Sequence, residues 1–210
     1  MRNTVPFSFF IALLLLATAG TATAQNFGVR AGVVSSDLNF IVEDGDDDGF
    51  RTDRITNLAI GLFVELPVSD NIAVQPELNY LGRGAKSQDD SDDKLRLSYL
   101  DIGALLKFRI NADAPVGFYA GAGPFLGYAV SGKDSEGKID FDDEDNFRRI
   151  DLSLAGAAGV TFGSSLRFFG ELRYSHGLSN LFKEDDFGDD AKLKNNAILL
   201  TGGVMVPLGN

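Results

Sequence analysis

One histidine occurs in the 210 residues, and its neighbours are those that hydrolytic chemistry needs. His176 follows Ser175 directly, lies three residues before Ser179 and five after Glu171. Serine, histidine and a carboxylate are the parts of an activated nucleophile, in which the imidazole takes the hydroxyl proton. A regular strand separates these parts, because successive side chains point to opposite faces. Ser175 and His176 then face apart, as do Glu171 and His176, and Ser179 approaches only if the chain turns after Gly177. The expectation is an interfacial histidine at a strand end, following Tyr174, with no catalytic residue and no cofactor.

A second run with chemical potential is Asp44-Gly45-Asp46-Asp47-Asp48-Gly49. Oxygen ligands at alternate positions wrap a hard cation, and the glycine permits the sharp turn of a calcium loop. The twelfth position is Ile55 where such a loop closes with a bidentate Glu, and Asp53 is the only nearby substitute. Weak, collective binding of divalent cations by acidic loops is expected, and no specific metal ligand is assigned. Asp89–Asp93, Asp142–Asp145 and Asp185–Asp190 would add to it.

These runs belong to four acidic stretches, Asp37–Arg54, Arg83–Arg96, Ser131–Arg149 and Gly177–Asn195, which hold 23 of the 30 acidic residues. Between them lie short, turn-like connections: Pro67–Asn71, Asn111–Pro115 and Gly163–Ser165. Long and short connections alternate along the chain. That rhythm fits an up-and-down sheet with short periplasmic turns at one end and long extracellular loops at the other.

The first residues read as an export signal. Arg2 supplies a positive charge, Phe7–Ala17 is an apolar run broken only by Ser8, and Ala22-Thr23-Ala24 is a small-x-small cleavage site. Residues 1–24 are expected to be removed, leaving one domain over residues 25–210. The formal charge of −11 becomes −12 with the loss of Arg2. An acidic exported chain without a basic stripe is a poor nucleic-acid binder. Cysteine is absent, so no disulfide framework exists.

Period-two alternation predicts eight strands: Asn26–Ser36, Ile55–Leu66, Ile72–Leu81, Leu97–Ile110, Val116–Val130, Ile150–Phe162, Leu166–Ser175 and Asn196–Leu208. Most reach the ~9–11 residues a tilted strand needs to cross a bilayer. In the second strand Leu58, Ile60, Leu62, Val64 and Leu66 share one face, opposite Asn57, Ala59, Gly61 and Glu65. The other faces carry both signs of charge: Arg30, Glu65, Glu77, Asp101, Lys107, Arg109, Asp151, Glu171 and Arg173. An eight-stranded barrel has an interior that side chains just fill. Opposite charges packed there can pair, while the aliphatic face meets lipid. Small residues (Gly28, Gly32, Gly61, Gly103, Gly121, Gly123, Ala157 and Gly159) would relieve crowding inside. Strands five and eight are apolar on both faces, so alternation leaves their facing open.

The opening Asn26-Phe27-Gly28-Val29-Arg30-Ala31-Gly32, the Gly121-Ala122-Gly123-Pro124 segment and Glu171-Leu172-Arg173-Tyr174-Ser175-His176-Gly177-Leu178-Ser179-Asn180 resemble small outer-membrane β-barrel families. Nearest are OmpA/OmpX-like barrels and PorT-like outer membrane protein beta-barrel domain proteins of the Bacteroidota. The resemblance implies an all-β fold: an eight-stranded antiparallel up-and-down transmembrane β-barrel in the outer membrane of a Gram-negative bacterium. It implies a monomer in contact with outer-membrane lipid and lipopolysaccharide. A structural or interaction role, non-enzymatic, is the leading expectation. A narrow channel or small-ligand carrier is the alternative, and a membrane-surface lipid hydrolase using His176 a further one.

Overall fold

A computed structural model describes residues 25–42, 53–86, 94–112, 114–133, 137, 149–179 and 191–208. Residues 1–24, expected to be an export signal, the calcium-like run and most of the four acidic stretches lie outside these residues. Eight antiparallel strands follow one another: β1 (Asn26–Val42), β2 (Asp53–Pro67), β3 (Ile72–Lys86), β4 (Lys94–Ile110), β5 (Val116–Lys133), β6 (Ile150–Phe162), β7 (Arg167–Gly177) and β8 (Ala191–Pro207). Each pairs with the next, and β8 returns to β1 to close the barrel. Closure leaves the barrel wall without a sheet edge, the condition for a strand structure within lipid.

The three short connections turn as their residues dictate. At the first, Ser69 Oγ accepts from Ile72 N at 3.1 Å and Val68 N donates to Ile72 O at 2.8 Å. At the second, Asn111 takes a positive φ of 54°, which asparagine tolerates, and Ala114 N donates to its carbonyl at 3.1 Å. At the third, Gly163 supplies φ 108°.

At the opposite end, β1 to β5, β7 and β8 run further than alternation indicates. β1 and β8 stay paired out to Val42↔Ala191, and β3 and β4 out to Lys86↔Lys94. Charge there reads as loop, but Asp53, Arg54, Arg96 and Lys133 are exposed on the extended strands, and a backbone ladder still satisfies the N–H and C=O groups. β3 passes through a register shift opposite Arg54–Ala59 of β2. The irregularity is braced from inside by Ser36, whose Oγ accepts from Gly84 N at 2.9 Å and donates to Gly84 O at 3.0 Å. Gly84 needs to be glycine: its φ is 154°, and a Cβ would strike the Leu95 carbonyl.

The two faces separate as alternation requires. Leu58 is 69% exposed, Leu106 60% and Leu200 59%, all outward, while Glu77 and Arg173 are only 4% exposed inside. β5 turns Phe118, Ala120, Ala122, Pro124, Leu126, Tyr128 and Val130 outward. β8 turns out Ile198, Leu200 and Val206. An apolar surface of this extent suits lipid and is foreign to a soluble monomer. Aromatic rings border it: Phe108, Phe118, Phe162 and Phe168 toward the short turns, Tyr80, Tyr128 and Tyr174 toward the long connections. Along β5, Phe118 and Tyr128 are ten residues apart. At ~3.4 Å per residue and a ~40° tilt this spans about 26 Å, close to the apolar band of an outer-membrane barrel.

Candidate functional site

The barrel interior is where the chain spends its buried polar groups, and they stack in three tiers. The middle tier joins four strands. Arg30 of β1 donates to Glu77 of β3 at 3.0 Å and to Glu171 of β7 at 2.9 Å. Arg173 of β7 donates through Nη1 and Nη2 to Glu77 at 2.7 and 2.9 Å, and through Nε and Nη2 to Glu171 at 3.1 and 2.7 Å. Gln75 and Asn79 donate to Glu77 at 2.6 and 3.1 Å, and Tyr119 OH donates to Glu171 at 2.9 Å. Both carboxylates are thus saturated, the condition under which buried charge is tolerated. Aromatic rings complete the tier: Arg30 lies 4.8 Å from the Phe63 centroid and Arg173 5.1 Å from that of Phe125.

Toward the long connections, Arg83 of β3 donates to Asp151 of β6 at 2.8 Å and to Asp101 of β4. Ser179 Oγ donates to Asp151 at 2.7 Å and accepts from Leu152 N at 2.9 Å, pinning the chain just past β7 to the barrel mouth. Toward the short turns, Lys107 donates to Glu65 at 2.7 Å and to Gln75 at 2.8 Å, and Arg109 donates to Glu65 at 3.2 Å. Gln75 thereby links this tier to the middle one. Five carboxylates and five cations are paired inside, so the described lumen carries no net charge from these groups.

Glycine makes room for the bulkiest inner side chains. A Cβ on Gly28 would collide with the Phe63 ring, one on Gly103 with Phe125, and one on Gly159 with Tyr119. Small residues opposite large ones leave a packed interior. The cavity lined by Glu65, Lys107, Arg109, Tyr119, Thr161 and Arg167 measures about 10 Å³, enough for one water.

All nine charged residues assigned by alternation to the polar faces are inside or at the inner rim. Arg83 is a correction: placed in an acidic loop, it is 2% exposed and holds the upper tier together. Its signal was available, since it shares the parity of Gln75, Glu77 and Asn79 on β3. Tyr119 of β5 was hidden by the two-sided apolarity of its strand.

The hydrolytic parts stay apart. Ser175 is buried on the inner face. His176 is opposite Asn196 on the outer wall, with Nδ1 2.7 Å from Asn196 Oδ1. Glu171 is committed to Arg30, Arg173 and Tyr119, and Ser179 to Asp151. Among the described residues no group of three or more acidic or histidine side chains is arranged to hold a metal ion.

Solved structures share this architecture at low identity. Neisserial surface protein A superposes with a TM-score of 0.50 at 16% identity, covering 86% of this chain and 96% of that one. OprG from Pseudomonas aeruginosa gives 0.51 at 13% identity, covering 87% and 96%. The outer membrane protein AlkL gives 0.54 at 15%, covering 91% and 93%. No curated protein matches the chain. The family described as outer membrane protein beta-barrel domain matches residues 23–183, well over half the sequence. An apolar wall around a neutralised polar interior is what that family's membrane demands, and this chain belongs to the outer membrane protein β-barrel domain family, a resident of the Gram-negative outer membrane.

Proposed function

We propose that the protein is a non-conducting, non-enzymatic structural and interaction barrel whose contacts with the outside are made by its long acidic connections. The observation that carries this reading is the ionic plug. Glu77 and Glu171 are held by Arg30 and Arg173 across the middle of the lumen, flanked by Phe63, Phe125 and Phe169. A solute crossing there must break several charge-assisted hydrogen bonds between side chains that are themselves buried. In planar bilayers the purified protein is therefore expected to give no unitary conductance steps. Regular, salt-dependent steps from the wild type would overturn the reading in favour of a narrow channel.

The acidic connections repel one another electrostatically, and divalent ions relieve that repulsion without a dedicated cage. They would also bridge to lipopolysaccharide phosphates beside a monomeric barrel. Calorimetry is expected to show shallow, salt-sensitive calcium binding that Asp46→Asn weakens only slightly. A stoichiometric micromolar site abolished by Asp46→Asn would contradict this. His176→Ala is expected to change no ester or lipid hydrolysis, because its serine and carboxylate neighbours bond elsewhere.

A further inference from the structure

We propose that the short-turn mouth of the barrel is a binding site for a phosphate group, held by Arg109 and Arg167. Three cations, Lys107, Arg109 and Arg167, line the cavity there with one carboxylate, Glu65. The imbalance sets this mouth apart from the rest of the lumen. Arg30, Arg83 and Arg173 each hold two carboxylates. Lys107 and Arg109 share Glu65, and Arg109 completes its bonding with the Ser69 carbonyl at 3.0 Å and the Asp70 carbonyl at 3.4 Å. Arg167 pairs with no carboxylate among the described residues, and makes one long hydrogen bond, Nη2 to the Ala114 carbonyl at 3.4 Å.

The donors lack acceptors. The Nε atoms of Arg109 and Arg167 are both buried and without a hydrogen-bond partner, as are those of Arg30 and Arg83 in the other tiers, but Arg167 alone of the four also lacks a carboxylate among the described residues. A buried guanidinium N–H left unpaired is costly, and an oxyanion is the acceptor that matches its fork. Thr161 adds a hydroxyl to the lining. The cavity of about 10 Å³ admits a single oxygen, so the ligand inserts one phosphate oxygen while the remainder stays at the mouth. Frame and position suit such a role. Arg109 sits in a fixed strand end, where Asn71 Nδ2 donates to the Arg109 carbonyl at 2.9 Å and Arg109 N donates to the Asn71 carbonyl at 2.7 Å. Phe118, part of the aromatic border near the short turns, is also in the lining, which places the mouth at the level of lipid headgroups. The phosphate is therefore either free in the periplasm or the headgroup of an inner-leaflet lipid.

The test uses the full mature chain, refolded first into maltoside micelles and then into phosphatidylcholine vesicles with and without phosphatidic acid. Inorganic phosphate titrated into the micelles, followed by ³¹P line width, is expected to saturate and to weaken with added chloride. Arg167→Gln should reduce the affinity about tenfold, and Arg167→Lys by less. Arg54→Gln, at the far end of the barrel, should leave it unchanged. Heat-modifiable gel mobility verifies the fold of each variant; should Arg167→Gln fail it, Arg167→Lys carries the comparison. Equal phosphate binding in micelles and vesicles identifies the free anion. Stabilisation of the wild type, but not of the Arg167 variant, by phosphatidic acid alone identifies the lipid. If neither phosphate nor phosphatidic acid distinguishes the wild type from the Arg167 variants, the proposal is wrong.

Discussion

Arg173→Met is expected to destabilise the folded barrel by ~3–5 kcal/mol, measured by denaturant unfolding from lipid vesicles. Arg173 gives up four hydrogen bonds to two carboxylates, and its neighbour Arg30 cannot replace them. Glu77 and Glu171 would then share a single guanidinium in a space too tightly packed for solvent, which leaves charge uncompensated. The cost comes from the orphaned partners more than from the lost attraction. It follows that Arg173→Met with Glu77→Gln should cost less than the sum of the two single changes, because the second removes a charge that the first has stranded. Additive effects, or a single-variant loss under ~1 kcal/mol, the range of an exposed pair, would show that these groups are hydrated instead of plugged. Arg54 supplies the comparison. Its pairing with Asp37 at 3.4 Å is at the exposed rim, and Arg54→Gln should change stability by ~0–1 kcal/mol.

Which residues face inward was legible from parity; which ones meet was not. Glu77 reads as an inward carboxylate from its alternation with Leu78 and Tyr80. Its partners are 47 and 96 residues away, on β1 and β7. Those meetings depend on how β8 returns to β1 and on the stagger between strands, which no single strand's pattern encodes. β6 keeps the bounds that alternation gives it, Ile150–Phe162. Alternation ends β3 at Leu81, before Gly82-Arg83-Gly84; in the folded chain the strand runs on through those residues to Lys86, beside an irregular ladder braced by Ser36. Arg83 lies beyond that bound, so alternation does not count it among the lumen residues. β5 resisted because Tyr119 and Phe125 point inward while Phe118 and Leu126 point outward, and apolarity alone does not distinguish a lumen-filling ring from a lipid-facing one. The three glycines opposed to inner rings carried that information, but only once the register placed them side by side.

The outer wall makes an opposite demand, and Leu62→Arg tests it. Leu62 projects from the middle of β2, between Val29 of β1 and Leu78 of β3, with apolar side chains above and below it on its own strand. A guanidinium there has no partner within the wall and must either deform the bilayer or snorkel past several residues to reach a headgroup. The expected loss is ~2–4 kcal/mol, as for cations near the midplane of outer-membrane barrels. Depth gives the control: Val68, 69% exposed in the first short turn, lies at the boundary, and Val68→Arg should cost ~0–1 kcal/mol. Arg173 and Leu62 together separate the two halves of the architecture, since one variant removes a cation that the lumen needs and the other adds one that lipid rejects. Should Leu62→Arg be harmless, and Leu62→Cys react with a water-soluble maleimide in intact vesicles, the wall would be solvated. Equal penalties at positions 62 and 68 would instead mean that depth in the membrane is not what the apolar face responds to.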